Sequence, residues 1–101
     1  MAGAKFDEGK PPITLVRPDF IRGMAAGMGF GAKKYGRYNY REGLEYSRIL
    51  DAMLRHLLAV VEGDDIDDDS GLHHLFLVGT NANMLYDLMS NSLGVDDRIK
   101  K

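Results

Sequence analysis

At 101 residues the chain has room for one domain and no more. With 45% hydrophobic and 28% charged residues, it has the balance of a globular protein rather than a disordered one. A net charge of −2 gives no global attraction for a nucleic-acid polymer, so any affinity for phosphate must be local. The absence of cysteine excludes disulfides, thiolate metal sites and cysteine nucleophiles, and suits a reducing cytoplasm. The first ten residues hold no signal-like apolar run, and no stretch approaches the ~20 apolar residues of a membrane span.

Residues 1–16 read as an extended arm, because Gly3, Gly9, Pro11 and Pro12 oppose a helix. Within it, Ile13-Thr14-Leu15-Val16 suits a short strand or an apolar strap. Pro18 and Asp19 then open a first helix: proline fits the first position, and the carboxylate complements the helix dipole. Phe20, Ile21, Met24, Ala25 and Met28 keep helical spacing. Gly23, Gly27, Gly29 and Gly31 weaken the helix by up to ~1 kcal/mol each. They imply close backbone contact and an end near Gly31.

Residues 32–46 read as a loop. A second helix is expected from Ser47, a good N-cap, to Glu62, where Gly63 stops it. Its apolar face is broad: Ile49, Leu50, Met53, Leu54, Leu57, Leu58 and Val61. An acidic connector, residues 63–71, leads to a third helix from about Ser70 or Gly71 to Asn91. Gly94 ends the packed region, and residues 95–101 read as a mobile tail. Two long helices joined by so short a connector predict an antiparallel hairpin. The fold class expected is thus mainly α: one small helical domain with a helix hairpin and an N-terminal arm. Six methionines and the glycine-rich first helix further suggest a dimer or tetramer.

The loop concentrates the residues suited to a phosphorylated ligand. Lys33, Lys34, Arg37 and Arg41 can pair with phosphate oxygens, Arg bidentately. Tyr35, Tyr38 and Tyr40 can stack on a base, and Gly36 and Gly43 admit close backbone approach. Against this stands a solvated loop whose tyrosines pack on another subunit. Arg55 and His56 sit mid-way along the second helix, and His56 shares a face with Met53 and Val60. His74 and Asn81, seven apart on the third helix, lie on one face and can converge with His56 across the hairpin. A satisfied core network explains these residues equally well. His73 falls on another face and is expected to be exposed.

Asp64, Asp65, Asp67 and Asp69 are an alternative set of oxygen ligands for magnesium, although a solvated acidic turn is the simpler account. Neither the glycine nor the closing glutamate of a calcium loop is present. The chain also spells Glu42-x-x-Glu45 and Glu62-x-x-Asp65, the paired acidic motifs of all-helical nucleotide pyrophosphohydrolases. Both pairs adjoin a glycine, whereas a metal cage needs carboxylates on rigid helical turns.

One combination is more specific than its parts. It runs Gly3-x-Lys5-Phe6-Asp7-x-Gly9-Lys10-Pro11, then Phe30-Gly31-Ala32-Lys33-Lys34-Tyr35-Gly36 with Asn39, then Arg55-His56-Leu57. Gly63, Asp67, Ser70-Gly71, His74-Leu75 and Asn81 complete it. In these residues the chain resembles the phage-encoded family named for the N-terminal domain of dATP/dGTP diphosphohydrolase, from Gly3 to about Leu88. The resemblance implies a helical fold that binds purine deoxynucleotides, and it adds Lys5, Lys10 and Asn39 to the ligand set. Two features depart from the family's pattern: Asp64 and Asp69 stand where glutamate is usual, and Leu77 where a second histidine is usual. Shortened or missing ligands with the phosphate-binding groups retained would leave a binder. The expected function is therefore a cofactor-free phage protein in the host cytoplasm that sequesters an immune nucleotide, such as the cyclic dinucleotide of a CBASS defence. The alternative is a magnesium-dependent pyrophosphohydrolase of dATP and dGTP.

Overall fold

Three helices follow from the apolar spacing, and the computed structural model of the chain describes residues 3, 4 and 6–99. They are α1 (Pro18–Tyr35), α2 (Tyr46–Val61) and α3 (His74–Ser90), with single 3-10 turns at Ile13–Leu15 and Asn39–Arg41. The described residues contain no strand, only two isolated bridges. The fold is mainly α, as expected, and none of its helices is long and apolar enough to cross a membrane.

Helix α1 runs four residues past Gly31, so Lys33, Lys34 and Tyr35 belong to its last turn and not to a loop. The cost of Gly29 and Gly31 is offset by the two lysines, which complement the negative end of the helix dipole. Gly36, at φ +92°, stops the helix while its N–H bonds Ala32 O at 2.8 Å. Gly23 and Gly27 are buried because they form the contact with α3. An added Cβ at Gly23 would run into the Phe76 ring, and one at Gly27 into Thr80 Oγ1. Gly79 answers from α3, where a Cβ would come within 2.5 Å of Met24 Sδ. The close approach lets Thr80 Oγ1 donate to Met24 O at 3.1 Å. Gly29 and Gly31 meet nothing, so only part of the glycine cluster is explained by packing.

Helices α2 and α3 form the antiparallel hairpin, with Tyr46, Ile49, Leu85 and Leu88 as core and Tyr40, Leu44, Leu50, Met53, Met84 and Leu93 packed around it. Ser47 is not the N-cap. It lies inside α2, and its N–H and hydroxyl donate to the Asp97 carboxylate at 2.9 and 2.5 Å. Asp97 thus caps the helix from fifty residues away. Val95 N bonds Leu44 O, and Tyr46 N bonds Val95 O. The segment expected as a loose tail is therefore hydrogen-bonded at Val95 and Asp97. Helix α3 begins three or four residues later than expected, because residues 67–71 close a turn on Asp67: Ser70 N and Oγ donate to Oδ2, and Gly71 N donates to the carbonyl. His73 caps α3, its Nδ1 accepting from Leu75 N at 3.0 Å, and is half-buried rather than exposed.

The arm is neither strand nor packed strap. Ile13, Leu15 and Val16 are exposed, as are Leu54, Leu57, Leu58 and Val61 on the side of α2 turned from α3. The chain exposes 7877 Å², against roughly 5,700 Å² for a folded monomer of this mass. Its radius of gyration is 16.6 Å, against about 13 Å for a compact domain of this length.

Besides the Leu44–Val95 bond, residues 36–45 are held to α3 by a charged anchor. Arg41 makes a bidentate pair with Asp87 at 2.7 Å, and Tyr40 OH donates to the same carboxylate at 2.6 Å. These bonds, Arg41 first, hold the Asp87 carboxyl down at about 2, below its ordinary 3.8.

Two outcomes follow. Gly27→Val should destabilise by ~1–3 kcal/mol through overpacking against Thr80, whereas Gly29→Ala should leave the thermal midpoint unchanged or raise it; equal losses in both would refute the seam. A depressed carboxyl stabilises above its unfolded pKa and loses that contribution as pH falls through the folded value. The melting temperature should therefore drop between pH 4 and 2 more steeply in the wild type than in Asp87→Asn, and parallel curves would show that the anchor contributes nothing.

Candidate functional site

A cleft of about 950 Å³ opens between the C-terminal half of α1, residues 36–45, the start of α2 and the Thr80–Met84 side of α3. Its volume lies at the upper end of the range for small-molecule sites. Gly27, Gly29, Gly31 and Ala32 give one wall a nearly bare backbone, and Tyr35, Arg37, Tyr38, Asn39, Tyr40 and Arg48 give the other aromatic and cationic groups. Tyr38 sits at φ +60°, a left-handed conformation costly for a bulky residue. The turn at 36–39 and the Tyr40–Arg41–Asp87 anchor hold it there. Glu42 and Glu45 add carboxylates to the rim.

The sequence-derived ligand set divides. Tyr35, Arg37, Tyr38, Asn39 and Tyr40 line the cleft. Arg41 does not: it is committed to Asp87 and lies over the Tyr38 ring at 4.7 Å. Tyr40 serves the same anchor, and burial, then its bond to Asp87, raises its phenol above the ordinary value. Lys34 reaches Asp69 at 3.4 Å and lies over the Phe30 and Tyr35 rings. Lys33 is exposed outside the cleft lining, as are Lys10 and Arg55. Lys5 lies outside the described residues. Asn81 is buried and donates to Leu77 O at 2.7 Å, which ties it to its own helix. Arg48 was missed from the sequence. It lies in the first turn of α2, beyond the turn that carries Arg37, and only the fold brings the two to one cleft.

A second group gathers where α2, the connector and the first residue of α3 meet. His56 Nδ1 and His74 Nδ1 face each other at 2.8 Å. One ligand atom from each of His56, Asp67 and His74 lies within 4.8 Å of the others, the one such group among the described residues. Burial lowers the His56 pKa; Asp67 opposes this, and the charges of His74 and Arg55 add to it. Burial works against ionisation of Asp67, but the Ser70 bonds and the two imidazoles outweigh it and leave the carboxyl below its ordinary value. His74 Nε2 is buried and makes no hydrogen bond; the nearest carboxylate, Asp64 Oδ2, is at 3.6 Å.

The four-aspartate alternative does not assemble. Of Asp64, Asp65, Asp67 and Asp69, only Asp67 joins the histidine group directly. Asp65 contributes its carbonyl to His74 N, and Asp69 meets Lys34. The two acidic pairs also stay apart. Glu45 and Glu62 cap opposite ends of α2, about 26 Å from each other at 1.5 Å per residue.

A family model described as dATP/dGTP diphosphohydrolase, N-terminal, matches residues 1–98. A Salmonella phage PMBT28 protein named dATP/dGTP diphosphohydrolase is 40% identical over 98 residues, which cover 97% of this chain and 33% of that protein. The chain thus spans about one third of this relative's length. No solved structure matches. The chain belongs to the dATP/dGTP diphosphohydrolase N-terminal family.

Proposed function

We propose that this chain is a phage protein that binds a phosphorylated purine nucleotide in the cleft beside α1 and acts in the cytoplasm of the infected host. One observation carries the reading: Arg37 and Arg48, both without an ion-pair partner among the described residues, share a cleft with the exposed rings of Tyr35 and Tyr38. Guanidinium groups hold phosphate, tyrosine faces hold a base, and the glycine wall, which lacks side chains, lets a ligand approach the helix closely. Glu42 and Glu45 supply acceptors for the amino group of a purine. The His56–Asp67–His74 group does not line this cleft. That separation favours binding without cleavage, and the volume leaves room for a ligand larger than a mononucleotide, such as a cyclic dinucleotide held as a sponge would hold it.

A second reading, pyrophosphohydrolysis of dATP and dGTP, is favoured by the name of the Salmonella phage relative. Incubation with dATP, dGTP and cyclic dinucleotides in the presence of magnesium or manganese, followed by chromatography, separates the two. A binder returns its ligand intact after denaturation; metal-dependent release of monophosphate would establish the hydrolase. Charge-assisted contacts contribute ~1.5–3 kcal/mol each, so Arg37→Ala and Arg48→Ala should each weaken nucleotide affinity at least about tenfold. Unchanged affinity in both variants would move the site elsewhere.

We also infer that the chain associates with a second copy of itself. The roughly 2,200 Å² of surface beyond that of a compact monomer matches one partner's share of a large obligate interface. The unpartnered Leu54, Leu57, Leu58 and Val61 stripe and the apolar arm supply its chemistry. Light scattering should give a dimer or a higher even number at micromolar concentration, and Leu58→Glu should dissociate it; a monomeric wild type would end this inference.

A further inference from the structure

The His56–Asp67–His74 group, the one cluster of metal-ligand spacing among the described residues, does not line the nucleotide cleft. We propose that it is a metal centre: His56 Nδ1, His74 Nδ1 and one Asp67 oxygen take a single divalent first-row transition-metal ion, and Asp64 orients His74 from behind.

The arrangement favours a metal over a plain hydrogen-bonded pair for three reasons. First, two imidazole nitrogens bound side by side to one ion at ~2.1 Å stand ~3.0–3.4 Å apart. The observed 2.8 Å needs only a few tenths of an ångström of opening. Second, a hydrogen bond between the two Nδ1 atoms accounts for those atoms alone and leaves His74 Nε2, nine-tenths buried, without a partner. With metal on Nδ1 the proton must sit on Nε2, and the Asp64 carboxylate at 3.6 Å is placed to receive it after a small rotation. Carboxylates behind ligating histidines recur at metal sites because they fix the tautomer and the ring orientation. Third, the ligands sit on firm backbone. His56 is within α2 and His74 opens α3, with its N–H bonded to Asp65 O at 2.7 Å. Asp67 is clamped through Oδ2 by Ser70, which leaves its other oxygen without a hydrogen bond among the described residues.

Two imidazoles with one carboxylate suit manganese, cobalt, nickel or zinc; magnesium prefers an all-oxygen shell. The ion would supply Lewis-acid polarisation of a coordinated water, away from the cleft lining. Of the four aspartates considered from the sequence, Asp67 alone is a ligand here and Asp64 stands behind His74, while Asp65 and Asp69 take no part.

The test uses metal alone, without nucleotide, so its outcome does not depend on the cleft. Purified, chelator-treated chain is titrated with Co²⁺ followed by visible absorption and with Zn²⁺ by calorimetry. One equivalent per chain should bind, with Mg²⁺ failing to compete at equal concentration. His56→Gln should abolish the cobalt bands, Asp64→Asn should weaken affinity about 10–100-fold, and Asp69→Asn should change nothing. The chain has three histidines, which gives a reading free of any variant's folding: Zn²⁺ should shift the ring proton resonances of His56 and His74 and spare His73. No stoichiometric binding, binding that survives His56→Gln, or a Zn²⁺ shift confined to His73 would overturn the proposal.

Discussion

The close approach of α1 to α3 is the contact on which the rest of this molecule depends. Gly23, Gly27 and Gly79 remove the side chains that would hold the helices apart, so Thr80 can bond the Met24 carbonyl directly. A helix pair packed this tightly leaves one glycine-lined flank of α1 exposed, and that flank is a wall of the cleft. The opposite wall is fixed by an independent device, the Tyr40 and Arg41 bonds to Asp87 near the far end of α3. Helix α3 therefore sets both sides of the site while contributing only Thr80 and Met84 to its lining.

The polar residues then fall into groups with separate tasks. Asp87 and Asp97 spend their charge on structure, one anchoring a loop and the other capping a helix. Arg37 and Arg48 remain uncommitted at the cleft. The two facing histidines occupy the junction of α2, the connector and α3, where the acidic turn folds back through the Asp67 bonds. Lys34 meeting Asp69 ties the last turn of α1, beside the cleft, to the connector that carries Asp67. A ligand in the cleft and an ion at the histidines would thus lie on elements that touch.

Much of this was legible in the residues. Apolar spacing located all three helices, and the convergence of His56 with His74 followed from helical faces alone. What stayed hidden depended on distant partners. Nothing near Arg41 shows that Asp87, forty-six positions on, will claim it. Nothing near Ser47 shows that Asp97 will cap its helix in place of the serine. Helix α1 outlasted its glycines because the lysines of its last turn complement the dipole, a gain that intrinsic propensity does not count. Arg48 escaped notice because it looks like any exposed helical arginine until the fold brings it to the same cleft as Arg37. The Asp67 turn delayed α3 by satisfying backbone groups that a helix would otherwise have used.

Occupation of the glycine-walled cleft by a phosphorylated purine nucleotide can be read from backbone amide shifts recorded by NMR during titration with dATP, dGTP and a cyclic dinucleotide. Saturable shifts should appear at Gly29, Gly31, Gly36, Tyr38 and Gly43 with at least one of these ligands. Shifts absent from those five amides at millimolar ligand, or confined to the arm around Lys10, would contradict it.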